Sequence, residues 1–210
     1  MLFDVDGTLV TGRSSERGFM EFLFRRGRFG VRQALATLTF ISRWLPRFGR
    51  DIFKKNKAYL AGLGVEEVAR LADIYVDREL MNRLHPPSAA RLRQHVAAGD
   101  DVVLLTGTPD FIARPLASRL GVDTIESSRC PRSDGRYPGG PPIEHPFGSA
   151  KLDYALELAR TRSRRIEDAM AYADSRDDLA LMRAVGVAVA VRPDSRLREE
   201  AVRQGWEIIE

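Results

Sequence analysis

Short apolar segments alternate with helical patterns through the second half of the chain. The predicted helices cover residues 87–98, 109–120, 149–161, 176–184 and 194–204, and the predicted strands cover 102–105, 122–126, 169–173 and 187–191. Strands joined through helices run parallel, and the helices then cover both faces of the sheet. The alternation therefore predicts an α/β fold, and 210 residues suffice for one such domain with an insertion.

Two carboxylates lie at the end of the first apolar run, because residues 3–7 read FDVDG and contain Asp4 and Asp6. Residues two apart in a strand that enters a glycine turn can face one site at the carboxyl end of that strand. One carboxylate could attack an electrophile while the other moves a proton, and a divalent cation would offset their repulsion. A calcium loop is excluded, because its sixth and twelfth positions would be Gly and Glu and here are Leu9 and Ser15.

The predicted strand 102–105 runs into Thr106, Gly107 and a Thr-Pro helix start. The Thr106 hydroxyl and the free N–H groups near Gly107 would then lie at a helix amino end, where anions bind well. Lys151 occupies the first turn of another predicted helix, where its charge opposes the helix dipole, so an outside anionic partner is indicated. A plain turn and a solvated lysine are the alternative interpretations.

Asp174 follows a predicted short strand, and Asp178 lies about one helical turn further on. Such oxygen ligands suit hard cations, and magnesium typically takes one or two carboxylates together with waters and substrate phosphate. Helix capping by acidic residues is the alternative, and it is the preferred interpretation for Asp177.

In their order along the chain, these segments resemble the haloacid dehalogenase superfamily, specifically its phosphoserine-phosphatase-like branch, subfamily IB. The shared order is Asp-x-Asp-Gly-Thr, a strand ending in Ser or Thr, a lysine, and Asp-Ser-x-x-Asp. The resemblance covers the chain except for residues about 11 to 60. It implies a Rossmann-like parallel sheet with an inserted α-helical cap, with residues 1–12 and 84–210 as the catalytic core and residues 13–83 as the cap.

The resemblance also implies a magnesium-dependent phosphatase. Asp4 would be the nucleophile that forms an aspartyl phosphate, and Asp6 would protonate the leaving alcohol and then activate water. The transferring phosphoryl group would be bound by Thr106, Gly107 and Lys151. The metal would be held by Asp4, Asp174 and the backbone carbonyl of Asp6, with Asp178 in support.

Residues 11–60 carry twelve lysines and arginines against three acids, a net charge of +9, whereas the whole chain carries +4. Seven of the ten phenylalanines and Trp44 also lie there. A basic, aromatic helical insertion over an acidic metal site is typical of a cap that recruits an anionic substrate. An apolar stripe at helical spacing from Val31 to Phe48 indicates a face packed on the rest of the cap, and peripheral contact with an anionic membrane is the alternative.

The position nine residues after Asp4 bears on the substrate. Phosphoserine phosphatases have Glu there, which reads the amino group of the substrate, and this chain has Arg13. Arg13 is therefore the expected specificity residue of the cap, and an anionic small-molecule or lipid phosphomonoester is the expected substrate. Phosphoserine is the alternative substrate.

The remaining features are less specific. The single cysteine, Cys130, excludes an internal disulfide, and His85, His95 and His145 lack metal-ligand spacing, so structural or solvent-facing roles are expected for them. A catalytic motif at residue 4 leaves no room for a signal peptide, which predicts a cytoplasmic protein with or without membrane association. The first strand is short, so a true start upstream of Met1 is the alternative.

A second class of function is a basic membrane- or nucleic-acid-binding module with a vestigial catalytic site. Such a site would be expected to have lost Asp4, Lys151 or Asp174, and all three are present. The enzyme is therefore the preferred interpretation, and no nucleic-acid partner is expected.

Overall fold

A computed structural model describes residues 1–49 and 52–210 of the chain, and in this part six parallel strands form a sheet. The strands are β1 (Leu2–Phe3), β2 (Val103–Pro109), β3 (Thr124–Ser128), β4 (Met170–Ala173), β5 (Val187–Val191) and β6 (Glu207–Ile209). Their spatial order is β3-β2-β1-β4-β5-β6. The predicted α/β fold with a Rossmann-like parallel sheet is confirmed.

Nine α-helices lie in the described residues. They are α1 (Ser15–Arg25), α2 (Val31–Phe48), α3 (Ile52–Lys55), α4 (Val65–Tyr75), α5 (Pro86–Ala97), α6 (Asp110–Leu120), α7 (Ala150–Thr161), α8 (Leu179–Ala184) and α9 (Ser195–Gln204). Among these residues, no helix combines the length and the apolar character that a bilayer crossing requires.

Local sequence signals account for several helix ends. Pro86 occupies the first turn of α5, where a missing N–H costs nothing. The Asp194 carboxylate caps α9 by accepting from the backbone N–H of Leu197 at 2.8 Å. Helix α6 ends at Gly121, whose φ of 71° is a left-handed conformation that glycine adopts without strain.

Successive side chains of the central strands enter two separate cores, as the two-residue period of a strand requires. Phe3, Leu104 and Tyr172 lie in the larger core on one face of the sheet. Leu2 and Val103 belong to the smaller core on the other face, which also contains residues of α7 and α8. Both faces are therefore covered, which is the condition for an all-parallel sheet.

The structure differs from the predicted elements at several places. Strand β2 continues to Pro109, past its predicted end at residue 105, and β3 covers Thr124–Ser128 where 122–126 was predicted. The predicted helix 176–184 begins as a 3-10 turn, Arg176–Asp178, and continues as α8. Strand β6 was not predicted, because three residues at the sheet edge are too few to show a strand period. Between Ser15 and Arg83 every regular element that the structure describes is helical. The boundaries of the cap at residues 13 and 83 stay a prediction.

Candidate active site

Strand β1 is central, with β2 and β4 as its parallel neighbours, so the residues that follow these three strands meet at one edge of the sheet. Asp4 directly follows β1, and its backbone N–H donates to the carbonyl of Tyr172 in β4 at 3.0 Å. The carboxyl ends of parallel strands are where α/β proteins place their ligands. The sequence motifs therefore converge on this edge.

Asp6 is held by hydrogen bonds from two neighbouring segments. The backbone N–H of Ser15 donates to Asp6 Oδ1 at 2.7 Å, and the Ser15 hydroxyl donates to Oδ2 at 3.0 Å. The hydroxyl of Thr108 also donates to Oδ2, at 3.3 Å. Burial raises the pKa of Asp6 to about 6, although the Ser15 bond opposes the shift, and the Asp4 charge adds to it. A carboxyl with this pKa can both give and take a proton near neutrality.

Lys151 lies on the first turn of α7 and is 3% exposed. Its Nζ lies 2.7 Å from Asp4 Oδ1 and 2.9 Å from Asp178 Oδ1. Burial opposes the charge of this ammonium, but the two carboxylates outweigh it, so the pKa of Lys151 is raised. The lysine is therefore a fixed positive charge between two of the predicted site residues.

Asp4, Asp174 and Asp178 form a group that could hold a metal ion, because each offers a carboxylate oxygen and these oxygens lie within 4.8 Å of one another. Burial and then the charges of Asp4 and Asp178 raise the pKa of Asp174 to about 7. Burial likewise raises the pKa of Asp178 to about 6, against the opposing charge of Lys151. Asp178 is buried, and Asp4 and Asp174 are half-buried. Three crowded carboxylates with an all-oxygen donor set fit Mg²⁺, whose charge would relieve their repulsion.

Gly7 leaves the space that the Asp174 carboxylate of this cluster occupies. A Cβ at this position would lie 2.0 Å from Asp174 Oδ2, and the φ of 92° is itself a conformation that favours glycine. The glycine of the Asp-x-Asp-Gly motif therefore allows the Asp174 carboxylate to approach the first turn after β1. The Asp6 side chain is bonded to Ser15 and Thr108 instead, so the predicted role of Asp6 at the metal rests on its backbone carbonyl and stays a prediction.

The last part of β2 is irregular, with a register shift between Leu105 and Pro109, and hydrogen bonds hold its backbone in place. Thr106 Oγ1 accepts from the backbone N–H of Thr108 at 3.1 Å. The Ser128 hydroxyl donates to the carbonyl of Gly107 at 2.6 Å and lies 2.6 Å from His145 Nδ1. Because the hydroxyl has one proton and the carbonyl can only accept, His145 Nδ1 must be the donor to Ser128. Burial, followed by the charges of Lys57, Lys55 and Lys54, lowers the pKa of His145 to about 4, so its ring is neutral near pH 7.

A pocket of about 380 Å³ lies at this edge of the sheet. It contains all the predicted catalytic, phosphate-binding and metal-binding residues, which are Asp4, Asp6, Thr106, Gly107, Lys151, Asp174 and Asp178. It also contains residues that the sequence analysis did not assign to the site, which are Ser14, Glu16, Lys54, Thr108, His145, Phe147, Ser175 and Asp177. The expectation that His145 is structural or solvent-facing therefore missed its place in the pocket wall.

Arg13 is not among the described residues that line the pocket. Its guanidinium lies 3.2 Å from Glu21 and 3.7 Å from Glu79, both outside the pocket. Glu16, one turn further along, lines the pocket instead, and its carboxylate accepts from Lys57 Nζ at 2.7 Å and from the Tyr59 hydroxyl at 2.8 Å. The Arg13 side chain therefore lies outside the pocket wall, and its predicted role in specificity stays a prediction.

At the mouth of the pocket, the helical segment between Ser15 and Arg83 contacts residues that follow the strands of the sheet. Lys54 Nζ, on α3, lies 3.1 Å from Asp177 Oδ2 and 3.9 Å from the centre of the Phe147 ring. Asp177 was expected to be a helix cap, but its carboxylate forms this ion pair. No signal within either segment indicated the contact, because the two residues are 123 positions apart.

Comparisons with known proteins were made by family model, by sequence and by structure. The haloacid dehalogenase-like hydrolase model matches residues 1–183. The chain is 31% identical over 212 residues to phosphoserine phosphatase SerB1 of Mycobacterium tuberculosis, covering 98% of this chain and 68% of that one. It is 27% identical to a histidinol-phosphatase of Neisseria meningitidis, covering 99% and 96%. The structure is also similar to the crystal structure of a protein of unknown function from Bordetella pertussis, with a TM-score of 0.81 and 27% identity. The similarity covers 100% of this chain and 96% of that one.

The family match spans the segments that supply Asp4, Thr106, Lys151 and Asp178, and SerB1 aligns with nearly the whole chain. Fold, motif order and relatives agree with one another. The protein belongs to the haloacid dehalogenase-like hydrolases, in their phosphoserine-phosphatase-like branch.

Proposed function

We propose that the protein is a magnesium-dependent phosphomonoesterase that works through an aspartyl phosphate on Asp4. The observation that carries the proposal is the different environment of the two motif carboxylates. Asp4 lies against the Lys151 ammonium at 2.7 Å, whereas Asp6 is held apart by Ser15 and has a pKa of about 6. Two carboxylates whose environments differ in this way can divide the roles of nucleophile and proton carrier.

In the first step an Asp4 oxygen forms a bond to phosphorus while the bond from phosphorus to the alcohol oxygen breaks. Asp6 gives its proton to the departing alkoxide. In the second step Asp6 takes a proton from water, the water oxygen bonds to phosphorus, and the bond to Asp4 breaks, which releases phosphate. Lys151, together with Thr106 and the Gly107 backbone, would bind the phosphoryl oxygens.

Asp4, Asp174 and Asp178 would hold the magnesium ion, with the Asp6 carbonyl as a further ligand. When bound, Mg²⁺ supplies positive charge that offsets the charge of the carboxylates and of the phosphoryl group. Lys151 already neutralises part of that charge, so the ion and the lysine act on the same acidic cluster.

The alcohol part of the substrate would face Glu16 and Lys54, which line the outer pocket with opposite charges. Lys57 already pairs with Glu16 and Asp177 with Lys54, so a zwitterionic alcohol would have to replace these partners in order to pair with both charges. Phosphoserine, which carries such an alcohol, is the second candidate substrate. Arg13 does not line the pocket, so its charge gives no reason to exclude phosphoserine. An anionic small-molecule or lipid phosphate, met at a peripheral anionic membrane surface, is the first candidate, and the +9 charge of residues 11–60 supports it.

A phosphate-release screen over phosphoserine, histidinol phosphate, glycerol phosphate, phosphatidic acid and an aryl phosphate tests both candidates. If the zwitterion is bound, Glu16→Gln should raise the KM for phosphoserine about tenfold and leave the KM for the aryl phosphate nearly unchanged. Equal effects on both substrates would contradict a role of Glu16 in specificity. No release from any phosphomonoester in the presence of Mg²⁺ would contradict the proposed activity itself.

A further inference from the structure

Helix α2 has two faces of different character. Its inner face packs on the rest of the helical segment, with Phe40 buried and the rings of Trp44 and Phe48 stacked at 5.2 Å. Its outer face carries four large aliphatic side chains whose exposed fractions are 77% for Val31, 58% for Leu35, 65% for Leu38 and 50% for Leu45. The stripe predicted to pack on the cap included Val31, Leu35, Leu38 and Leu45, and that prediction is wrong for these four residues, because packing leaves them exposed.

The four outer residues follow one another at intervals of four, three and seven positions, so they form one continuous stripe along the helix. Isolated exposed aliphatic residues are normal in proteins, but a continuous stripe usually marks a contact surface. The stripe runs over nearly the whole length of α2, from its first residue to the turn before Pro46.

The charge of α2 is entirely positive. Its sequence contains Arg32, Arg43 and Arg47, all exposed, and no acidic residue. Two arginines that precede α2 are neutralised within the molecule, because Arg25 lies 2.6 Å from Glu79 and Arg28 lies 3.1 Å from Glu67. The basic residues of α2 therefore accompany the apolar stripe on a helix that has no acids of its own.

This combination discriminates between occupants of the stripe. A second copy that packed α2 against α2 would bring two helices of positive charge together, with no carboxylate on either helix to compensate. On an anionic lipid surface the aliphatic stripe would enter the headgroup boundary, and the lipid phosphates would pair with the arginines. Each arginine would raise the affinity about fivefold. We infer that the outer face of α2 is a docking surface for an anionic membrane.

The inference extends the proposed function, because it names the surface from which a lipid phosphate would be taken. Docking itself needs no catalysis, so it is tested by binding. The full chain is co-sedimented with vesicles of phosphatidylcholine alone and of phosphatidylcholine with phosphatidylglycerol, at low and high salt. The unmodified protein should bind the anionic vesicles, leave the neutral vesicles unbound, and lose binding as salt rises.

Two double variants and one control locate the surface. Leu35→Gln with Leu38→Gln should weaken binding at least tenfold, and Arg43→Gln with Arg47→Gln should weaken it by a similar factor and flatten its salt dependence. Val202→Gln is the matched control, because Val202 is 71% exposed but lies on α9. It should bind like the unmodified protein.

The outcomes are separable. Absence of binding to anionic vesicles at low salt, or equal losses in the α2 variants and in Val202→Gln, would overturn the inference. Concentration-dependent dimerisation that Leu35→Gln with Leu38→Gln abolishes would overturn it in favour of a second copy. Hydrolysis of a soluble aryl phosphate, measured for each variant, should stay unchanged. If the unmodified protein lacks that activity but still binds vesicles, the proposed function fails and the docking surface stands.

Discussion

The pocket at the ends of β1, β2 and β4 and the outer face of α2 differ in how their side chains are held. In the pocket, each carboxylate is tied to a partner from a distant part of the chain, such as Asp4 to Lys151 and Asp6 to Ser15 and Thr108. On α2, Leu35 and Leu38 are more than half exposed. Groups that are held in place before a ligand arrives suit catalysis, whereas an exposed stripe suits reversible docking.

The largest expected effect is that of Asp4→Asn, since an amide cannot act as the nucleophile. The kcat for an aryl phosphate should fall by at least about 10³-fold while the melting temperature stays near that of the unmodified protein. Asp177→Asn is the matched control, because Asp177 lines the same pocket at its mouth and should change kcat less than about threefold. Turnover of Asp4→Asn within tenfold of the parent would show that the pocket works through another group.

Removal of the metal should have the next largest effect. Activity should vanish in a chelator and return with Mg²⁺, and Mg²⁺ should raise the melting temperature because it binds the folded cluster. Asp174→Asn should weaken the Mg²⁺ dependence of both the rate and the melting temperature by about 10–100-fold. Full activity in metal-free buffer would refute the assignment of the acidic cluster.

Ser128→Ala tests whether the end of β2, which we propose binds phosphate, must be held in place by Ser128. The variant frees the Gly107 carbonyl and removes the acceptor of His145, so we expect kcat to fall about tenfold and inhibition by vanadate to weaken equally. His145→Asn retains an amide N–H near the Nδ1 position and should lose less than Ser128→Ala. Unchanged vanadate inhibition in Ser128→Ala would reduce Ser128 to a packing residue.

His145 should also affect how stability depends on pH. Its pKa is about 4 in the folded protein and near 6.5 when unfolded, so the unfolded chain binds more protons between these values. The neutral, buried ring therefore contributes on the order of 2 kcal/mol above pH 6.5, and the contribution is lost as pH falls from 6.5 towards 4. The difference in unfolding free energy between the parent and His145→Asn should shrink over this range. A pH-independent difference would mean that the ring titrates normally.

The smallest effect is expected on the outer face of α2. Leu35→Gln with Leu38→Gln should change the free energy of unfolding by less than about 0.5 kcal/mol, because both side chains are largely exposed. Phe40→Ala, on the inner face of the same helix, should cost about 3 kcal/mol. Urea denaturation of the three proteins makes the comparison. A large loss in the Leu35 and Leu38 variant would show that the stripe is packed in solution and is not a docking surface.

The sheet and the pocket were predictable because their signals are local. Apolar runs followed by Asp4, Thr106 and Asp174 mark the carboxyl ends of β1, β2 and β4, and parallel strands bring those ends together. Lys151 was predicted as a site residue because its positive charge opposes the helix dipole at the amino end of α7. Strand β6 was missed because three edge residues show no period.

The outer part of the pocket was not predictable in the same way. Counting nine residues from Asp4 pointed to Arg13. The first turn of α1 presents Glu16 to the pocket, whereas Arg13 precedes α1 and lies against Glu21 and Glu79. Lys54 reaches Asp177 across 123 residues of chain. Contacts of this kind depend on how the helical segment packs on the sheet, and no local pattern encodes that packing.

By itself, the sequence determined the fold class, the order of the site segments and the basic character of residues 11–60, because each depends on residue type and spacing along the chain. The tertiary structure decided which side chains meet. It placed Asp6 with Ser15 and Thr108, set Ser128 and His145 behind Gly107, and separated the packed face of α2 from its exposed one. The physical reason is that burial, hydrogen-bond partners and pKa values depend on distances in space, and residues far apart in sequence set those distances.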